Sequence, residues 1–65
     1  MSSWPIEYTK FCDMCSQAFH SEVSWEKVLD QSWNLMKYAQ TPDQESTVLQ
    51  NQKAILKNIE NETLH

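Results

Sequence analysis

The sequence predicts an all-α fold, a small helical bundle, from three observations. None of the 65 residues is glycine, the usual residue of left-handed turns, which makes up roughly 7% of ordinary chains. The two prolines, Pro5 and Pro42, lie where helices would begin, and apolar residues recur at helical spacing between them and beyond. The predicted helices lie near residues 4–20, 24–40 and 42–60. We expect one domain that spans residues 1–65.

The first helix is predicted from an apolar stripe along one side of residues 4–20. At about 100° per residue, the stripe occupies roughly 160° of the helix circumference. Ser3 is placed to cap this helix, and Pro5 suits its first turn. Ile6 points away from the stripe. The stripe consists of Trp4, Tyr8, Phe11, Cys12, Met14, Cys15, Ala18 and Phe19.

The second helix is predicted to begin after Ser24, whose side chain can accept a hydrogen bond from the amides of the following turn. Val23 and Val28 are placed for a hydrophobic staple across this start. Ser32 lies within the apolar stripe, where a small residue permits the close approach of a neighbouring helix. The stripe consists of Trp25, Val28, Leu29, Trp33, Leu35, Met36 and Ala39.

The third helix has the clearest start, because the segment from Thr41 to Gln44 combines an N-cap, proline at the first helical position and a capping-box glutamine. Gln52 lies at the centre of its apolar stripe and has two interpretations. Either its amide reaches outward at an edge of the bundle, or it pairs with its symmetry mate or another polar group and fixes the register. The stripe consists of Val48, Leu49, Ile55, Leu56 and Ile59.

The joints between the helices are short, which favours antiparallel neighbours with the second helix in the middle. Each joint ends one helix by starting the next, so we expect neither joint to need a left-handed residue. An alternative keeps the first two helices as one bent helix. That helix would pair with the third as a long hairpin and dimerise into a four-helix bundle.

The charge of the chain argues against nucleic acid as a direct ligand. Its five basic residues are all lysine, and nine carboxylates leave a formal charge of −4. Phosphate backbones are bound by clustered Lys and Arg, and bases are read best by bidentate Arg. A DNA-binding or transcription-associated regulator stays as an alternative, because residues 21–23 could form the turn of a helix-turn-helix and an acidic protein can cover a basic surface.

The sequence contains no run of about 18 apolar residues, the length that a membrane-spanning helix needs. Its first residues also lack a basic region followed by an apolar stretch, as in a secretion signal. We therefore expect a cytoplasmic protein without a membrane partner.

Cys12, Cys15 and His20 are the candidate metal ligands, since zinc sites often begin with two cysteines at this spacing. In a continuous helix, however, Cys12 and His20 lie about 12 Å apart along the axis, and Cys15 and His20 point about 140° apart. We therefore expect both cysteines to pack as small apolar residues, and we expect no cofactor. A metal-binding helical protein or sensor remains an alternative that needs the helix to break near Ser16.

No pattern of a catalytic site or phosphate cradle is present, so we expect no enzyme activity. The expected function is that of a small acidic interaction module, a regulator, inhibitor or adaptor, which binds another protein through apolar helix faces. We also expect it to form a homo-oligomer, most simply a homodimer through the second helix or the stripe that contains Gln52. Trp4, Ile6 and Tyr38 are candidate interaction residues because they lie at the terminus or outside the stripes, and Gln52 is the fourth.

Overall fold

A computed structural model describes residues 3–63 of the chain, which form three helices and contain no strand. Helix α1 spans Trp4–Phe19, α2 spans Trp25–Met36 and α3 spans Pro42–Thr63. The prediction of an all-α bundle is confirmed. The first two predicted helices are separate elements, so the bent-helix hairpin is not the architecture of this chain.

Helix α2 lies in the middle of the bundle, as predicted. Both α1 and α3 pack against it, and no α-carbon of α1 comes within 8 Å of one in α3. The backbone measures 38 × 21 × 13 Å along its principal axes. The bundle is therefore flattened, with two broad sides and α2 between its neighbours.

The core is a single cluster of apolar side chains drawn from all three helices. Partly buried side chains at the helix ends and flanks, such as Met14, Val23 and Ile59, pack against it. Because a domain of this size buries only about 60% of the surface exposed by its unfolded chain, the core is small. The buried apolar residues are Phe11, Ala18, Trp25, Val28, Leu35, Val48 and Ile55.

A buried polar pair joins α2 to α3. The amide nitrogen of Gln52 donates to the Ser32 hydroxyl oxygen over 3.1 Å, and the Ser32 hydroxyl donates to the carbonyl of Leu29 one turn earlier. Ser32 is completely buried and Gln52 is only 6% exposed. Of the two interpretations of Gln52, pairing with another polar group is the one observed, and its partner is in the same chain.

A second polar pair joins α1 to α2 and was not predicted. Asn34 donates from its side-chain nitrogen to Oε1 of Glu7 over 2.9 Å, and Oε2 of Glu7 lies 3.2 Å from Nζ of Lys10. Glu7 is 4% exposed and precedes the buried Phe11 by one turn, so helical spacing alone would have placed it in the α1 stripe.

The joint between α1 and α2 does contain a left-handed residue, which corrects the expectation for this joint. Ser21 has a φ of 61°, its N–H donates to the carbonyl of Ala18, and the N–H of Glu22 donates to that of Gln17 over 2.8 Å. This pair of bonds is the Schellman arrangement that commonly ends a helix with glycine. Serine takes the glycine position here, at an energetic cost of about 1 kcal/mol.

The joint between α2 and α3 begins earlier than predicted, because α2 ends at Met36 instead of near residue 40. The N–H groups of Tyr38 and Ala39 donate to carbonyls three residues back, which tightens the chain out of the α-helix. The chain must also become extended before Pro42. The predicted cap forms, since the Thr41 hydroxyl accepts from the N–H of Gln44 over 3.1 Å.

The caps of the other two helices differ in strength. Ser24 accepts from the N–H of Lys27 over 3.4 Å, as predicted. Ser3 occupies the N-cap position of α1 but its side chain makes no capping bond. Its carbonyl accepts from the N–H of Glu7 over 2.9 Å. The start of α1 therefore lacks the side-chain support that α2 and α3 have.

Candidate interaction surfaces

Several large apolar side chains remain exposed on the described part of the chain. Four of them belong to stripes that were predicted to face the core. They are exposed because each stripe is wider than the arc that the neighbouring helices cover. Phe19 is the most exposed of them, at 72%. The five residues are Ile6, Phe19, Trp33, Leu49 and Leu56.

Leu49 and Leu56 lie on the more exposed flank of α3. The opposite flank of α3 carries the half-buried side chains of Thr47, Asn51 and Asn58. Leu49 and Leu56 are 49% and 52% exposed and lie two turns apart, about 10 Å along the helix. They form one ridge beside the contact with α2.

Trp33 is 58% exposed and lies on α2, beside the contact between α2 and α3. Ser32 marks the α3 side of α2 through its bond to Gln52, and Asn34 marks the α1 side through its bond to Glu7. Trp33 forms a ridge with the half-buried Leu29 and Met36, which flank Ser32 and lie away from Asn34. We call the surface formed by Trp33, Leu49 and Leu56 the outer seam.

The rim of the outer seam is mostly acidic. Carboxylates outnumber lysines by four to two among the exposed residues that flank it. Three of these carboxylates, on Glu26, Asp30 and Glu60, lie toward the start of α2 and the end of α3, which are neighbours in an antiparallel pair. The rim residues are Glu26, Asp30, Lys37, Glu45, Lys53 and Glu60.

A second apolar surface begins on the core-facing side of α1 and continues outward. Trp4 and Tyr8 stack with ring centroids 5.4 Å apart, and Phe19 packs edge-on against Trp25 at 4.9 Å. Cys12 is exposed, whereas Trp4, Tyr8 and Cys15 are half-buried. We call this row the aromatic row; it consists of Trp4, Tyr8, Cys12, Cys15 and Phe19.

Two groups of the aromatic row hold their protons more tightly than usual. The pKa of Tyr8 is raised by the neighbouring charge of an ionised Cys12, then by burial and by a hydrogen bond with Cys12. The pKa of Cys15 is raised by burial and, to a smaller degree, by Cys12. Both groups are therefore uncharged at neutral pH.

The four predicted interaction residues lie in different environments. Ile6 is 47% exposed on the outward side of α1, Trp4 is half-buried in its stack with Tyr8, and Tyr38 is half-buried in the joint after α2. Gln52 lies in the interior. The structure does not bring the four together, and their role in binding stays a prediction.

The predicted metal candidates also do not form one cluster. Cys12 is exposed and Cys15 half-buried, and both are thiols, whereas His20 is the exposed C-cap of α1. Within residues 3–63, no three His, Cys, Asp or Glu side chains are grouped closely enough to hold a metal ion. The same residues form no ligand-sized pocket, and none of the described helices has the length and hydropathy needed to cross a membrane.

Comparison with protein-family models, with curated proteins and with solved structures finds no match to this chain. The outer seam and the aromatic row therefore carry the functional argument by themselves. Sequence reasoning did not single out Trp33, Leu49, Leu56 or Phe19 as surface residues. The sequence feature that could have indicated their exposure is an apolar stripe wider than the neighbouring helices can cover.

Proposed function

We propose that this protein is a small acidic interaction module, a regulator, inhibitor or adaptor, which binds another protein through the outer seam. The observation that carries the proposal is the exposure of Trp33, Leu49 and Leu56 on one side of the α2–α3 pair. Together they expose on the order of 300 Å² of apolar surface, a patch size that is often functional on small monomers.

The shape of the outer seam suits an amphipathic helix of the partner. Two ridges flank the line where α2 meets α3, and Leu49 and Leu56 repeat after seven residues. A helix that lies along this line would present apolar side chains at the matching spacing of three, four and seven residues. Tryptophan is among the residues most enriched at the energetic centres of protein interfaces, which makes Trp33 the expected anchor.

The rim predicts basic flanks on that partner helix. Glu26, Asp30 and Glu60 would attract Lys or Arg toward one end of the seam, whereas Lys37 and Glu45 at the other end balance each other. Complementary rim charges mainly raise the association rate and select the orientation of the partner. The proposed partner is thus a protein with a basic amphipathic helix, bound in one direction.

The proposal is tested by affinity capture from the native host with three baits, followed by binding measurements with the purified captured protein. Wild type and Ile6→Ser should retain a common protein, and Trp33→Ser/Leu56→Ser should lose it, with at least tenfold weaker binding. Ile6 is a matched control because it is an exposed apolar residue outside the seam. Identical binding by all three baits, or loss on Ile6→Ser alone, contradicts the proposal.

The charge component is tested separately with the same purified partner. Glu26→Lys/Asp30→Lys should slow association and weaken binding at low ionic strength, and the difference from wild type should shrink at high salt. Glu62→Lys, a reversal away from the seam, is the control and should have a smaller effect. Equal effects of the two variants would refute the basic-flank part of the proposal.

A further inference from the structure

The broad side of the bundle that carries the aromatic row contains no charged side chain at its centre. The half-buried side chains of Thr47, Asn51 and Asn58 mark the adjoining flank of α3, and together with Ala54 they form a row that is small or neutral. Charged side chains such as those of Lys57 and Glu62 lie toward the margin. In a chain of net charge −4, this side is where a second, equally acidic copy can approach without placing carboxylate against carboxylate at the centre of the contact.

The aromatic row is symmetric in its spacing. Trp4 and Phe19 lie equally far from the midpoint between Phe11 and Cys12, and so do Tyr8 and Cys15. A two-fold axis across α1 at this midpoint would lay α1 on its antiparallel copy and match Trp4 with Phe19 and Tyr8 with Cys15, with Cys12 beside the axis. Isologous dimers have this self-complementary arrangement, in which one patch meets itself.

The α3 row fits the same axis. The bonds Glu7–Asn34 and Ser32–Gln52 align the helices so that Ala54 lies at about the level of Cys12. The two residues nearest the axis are therefore small, which permits close approach of the backbones. The amides of Asn51 and Asn58 would meet amides of the other copy, where both can form hydrogen bonds, and the aromatic rings would meet rings and thiols.

The broad side is large enough for a dimer contact. It extends over 38 by 21 Å, and a standard protein interface buries about 800 Å² on each partner. Phe19, which is 72% exposed in the single chain, would be covered near the end of such a contact. The neutral state of Tyr8 and Cys15 at neutral pH keeps the contact free of charge.

We propose that two copies of this chain form an antiparallel two-fold dimer through the aromatic row of α1 and the adjoining row of α3. This surface is distinct from the outer seam, so the dimer would leave the seam open to a partner. The proposal stands whether or not the seam binds another protein.

Sedimentation equilibrium over a wide concentration range tests the dimer and its location. Wild type should have twice the mass of the chain, and Cys12→Lys, which places a charge at the axis, should reduce the mass twofold. Ile6→Lys, on the outward side of α1, should stay dimeric, and circular dichroism should show that all variants are folded. A wild type that is monomeric up to millimolar concentration overturns the proposal.

Leu49→Lys separates the aromatic row from the outer seam. The variant should stay dimeric, and loss of the dimer on Leu49→Lys but not on Cys12→Lys would place the second copy on the seam and refute the proposal. A thiol cross-link provides an independent readout. In a Cys15→Ser background, a short bismaleimide should join two copies through Cys12, whereas Ile6→Cys/Cys12→Ser/Cys15→Ser should give far less product. Equal yields would contradict the arrangement.

Discussion

An interhelical polar pair joins α2 to each of its neighbours, and the two pairs differ in charge and in access to water. Ser32 and Gln52 form a neutral pair deep between α2 and α3. Glu7 and Asn34 form a charged pair between α1 and α2, in which Asn34 is half-buried and Lys10 continues to the surface. Both members of the first pair are buried, whereas the second pair reaches solvent through Asn34 and Lys10.

The joints between the helices also differ, and the joint next to the α2–α3 contact is again the one with more local support. The joint before α3 has a side-chain cap from Thr41 and proline at the first helical position, whereas the joint after α1 places Ser21 in a left-handed conformation. The N-terminus of α1 also lacks a side-chain cap. The α2–α3 half is therefore the better supported part of the bundle. Single substitutions should have their clearest effect on how stably α1 packs against α2.

Truncation of the neutral pair should have the largest effect. Gln52→Ala removes a buried methylene, the carboxamide and its interhelical hydrogen bond, so we expect a loss of about 3 kcal/mol in the free energy of unfolding. A domain of this length has about 3–10 kcal/mol in total. Urea denaturation followed by circular dichroism measures the loss, and Gln50→Ala on the exposed side of α3 should change stability by less than about 0.5 kcal/mol.

A double replacement sharpens the interpretation of the same pair. Replacing both partners of a buried hydrogen bond with apolar groups is often nearly neutral. Ser32→Ala/Gln52→Leu should therefore stay within about 1 kcal/mol of wild type. If the double variant is as unstable as Gln52→Ala, the hydrogen bond itself and not the filling of space holds α3 on α2.

Removal of the charged pair should have the next largest effect. Asn34→Ala deletes a hydrogen bond to a carboxylate, which contributes about 1.5–3 kcal/mol, and partial access of water favours the lower end of this range. We expect about 1.5 kcal/mol in urea denaturation. Gln31→Ala, another half-buried amide of α2, is the matched control. A larger loss for Asn34→Ala than for Gln52→Ala would reverse the comparison between the two halves.

A glycine in the first joint should stabilise the weaker half. Ser21→Gly removes the steric cost of a left-handed residue with a Cβ atom, and we expect a gain of about 1 kcal/mol and a higher melting temperature. Ser16→Gly, within α1, should change stability in the opposite direction by about 0.5 kcal/mol, because glycine is a poor helix former. A loss of stability for Ser21→Gly would show that the serine side chain contributes more than its conformation costs.

The smallest expected effect is a pH dependence confined to alkaline solution. The folded-state pKa values of Tyr8 and Cys15 are raised, so the folded state binds these protons more tightly than the unfolded state. This contribution is complete below the unfolded pKa, about 8.5 for a thiol and 10 for a phenol, and is lost as pH rises through the folded values. Urea midpoints should fall above about pH 8.5, and less steeply in Cys15→Ser.

The sequence predicted the parts of the fold that depend on local hydrogen bonds. The caps at Ser24 and Thr41 form with the partners that their spacing indicated. The end of α2 was misplaced because Tyr38 and Ala39 continue the helical apolar pattern, while the extended chain before Pro42 ends the helix earlier. Helix starts are marked by capping side chains, whereas helix ends depend on the backbone conformation that the following segment requires.

The candidate surfaces were harder to predict because exposure depends on where neighbouring helices lie. Trp33, Leu49 and Leu56 fit an apolar stripe as well as the buried Val28 and Val48 do. Which flank of a helix is covered depends on where its neighbours pack, and the stripes alone do not give those positions. Glu7 was overlooked for the complementary reason, since a charged residue is expected outside and its partner on α2 is 27 residues away.

The three tryptophans occupy three environments, and this gives the protein built-in optical reporters. Trp25 is buried, Trp4 is stacked on Tyr8, and Trp33 faces solvent on the outer seam. Fluorescence of an unlabelled chain should therefore separate three events: loss of the core at Trp25, disturbance of α1 at Trp4, and occupation of the seam at Trp33. Phenylalanine replacements that leave one tryptophan at a time would assign each signal to its part of the molecule.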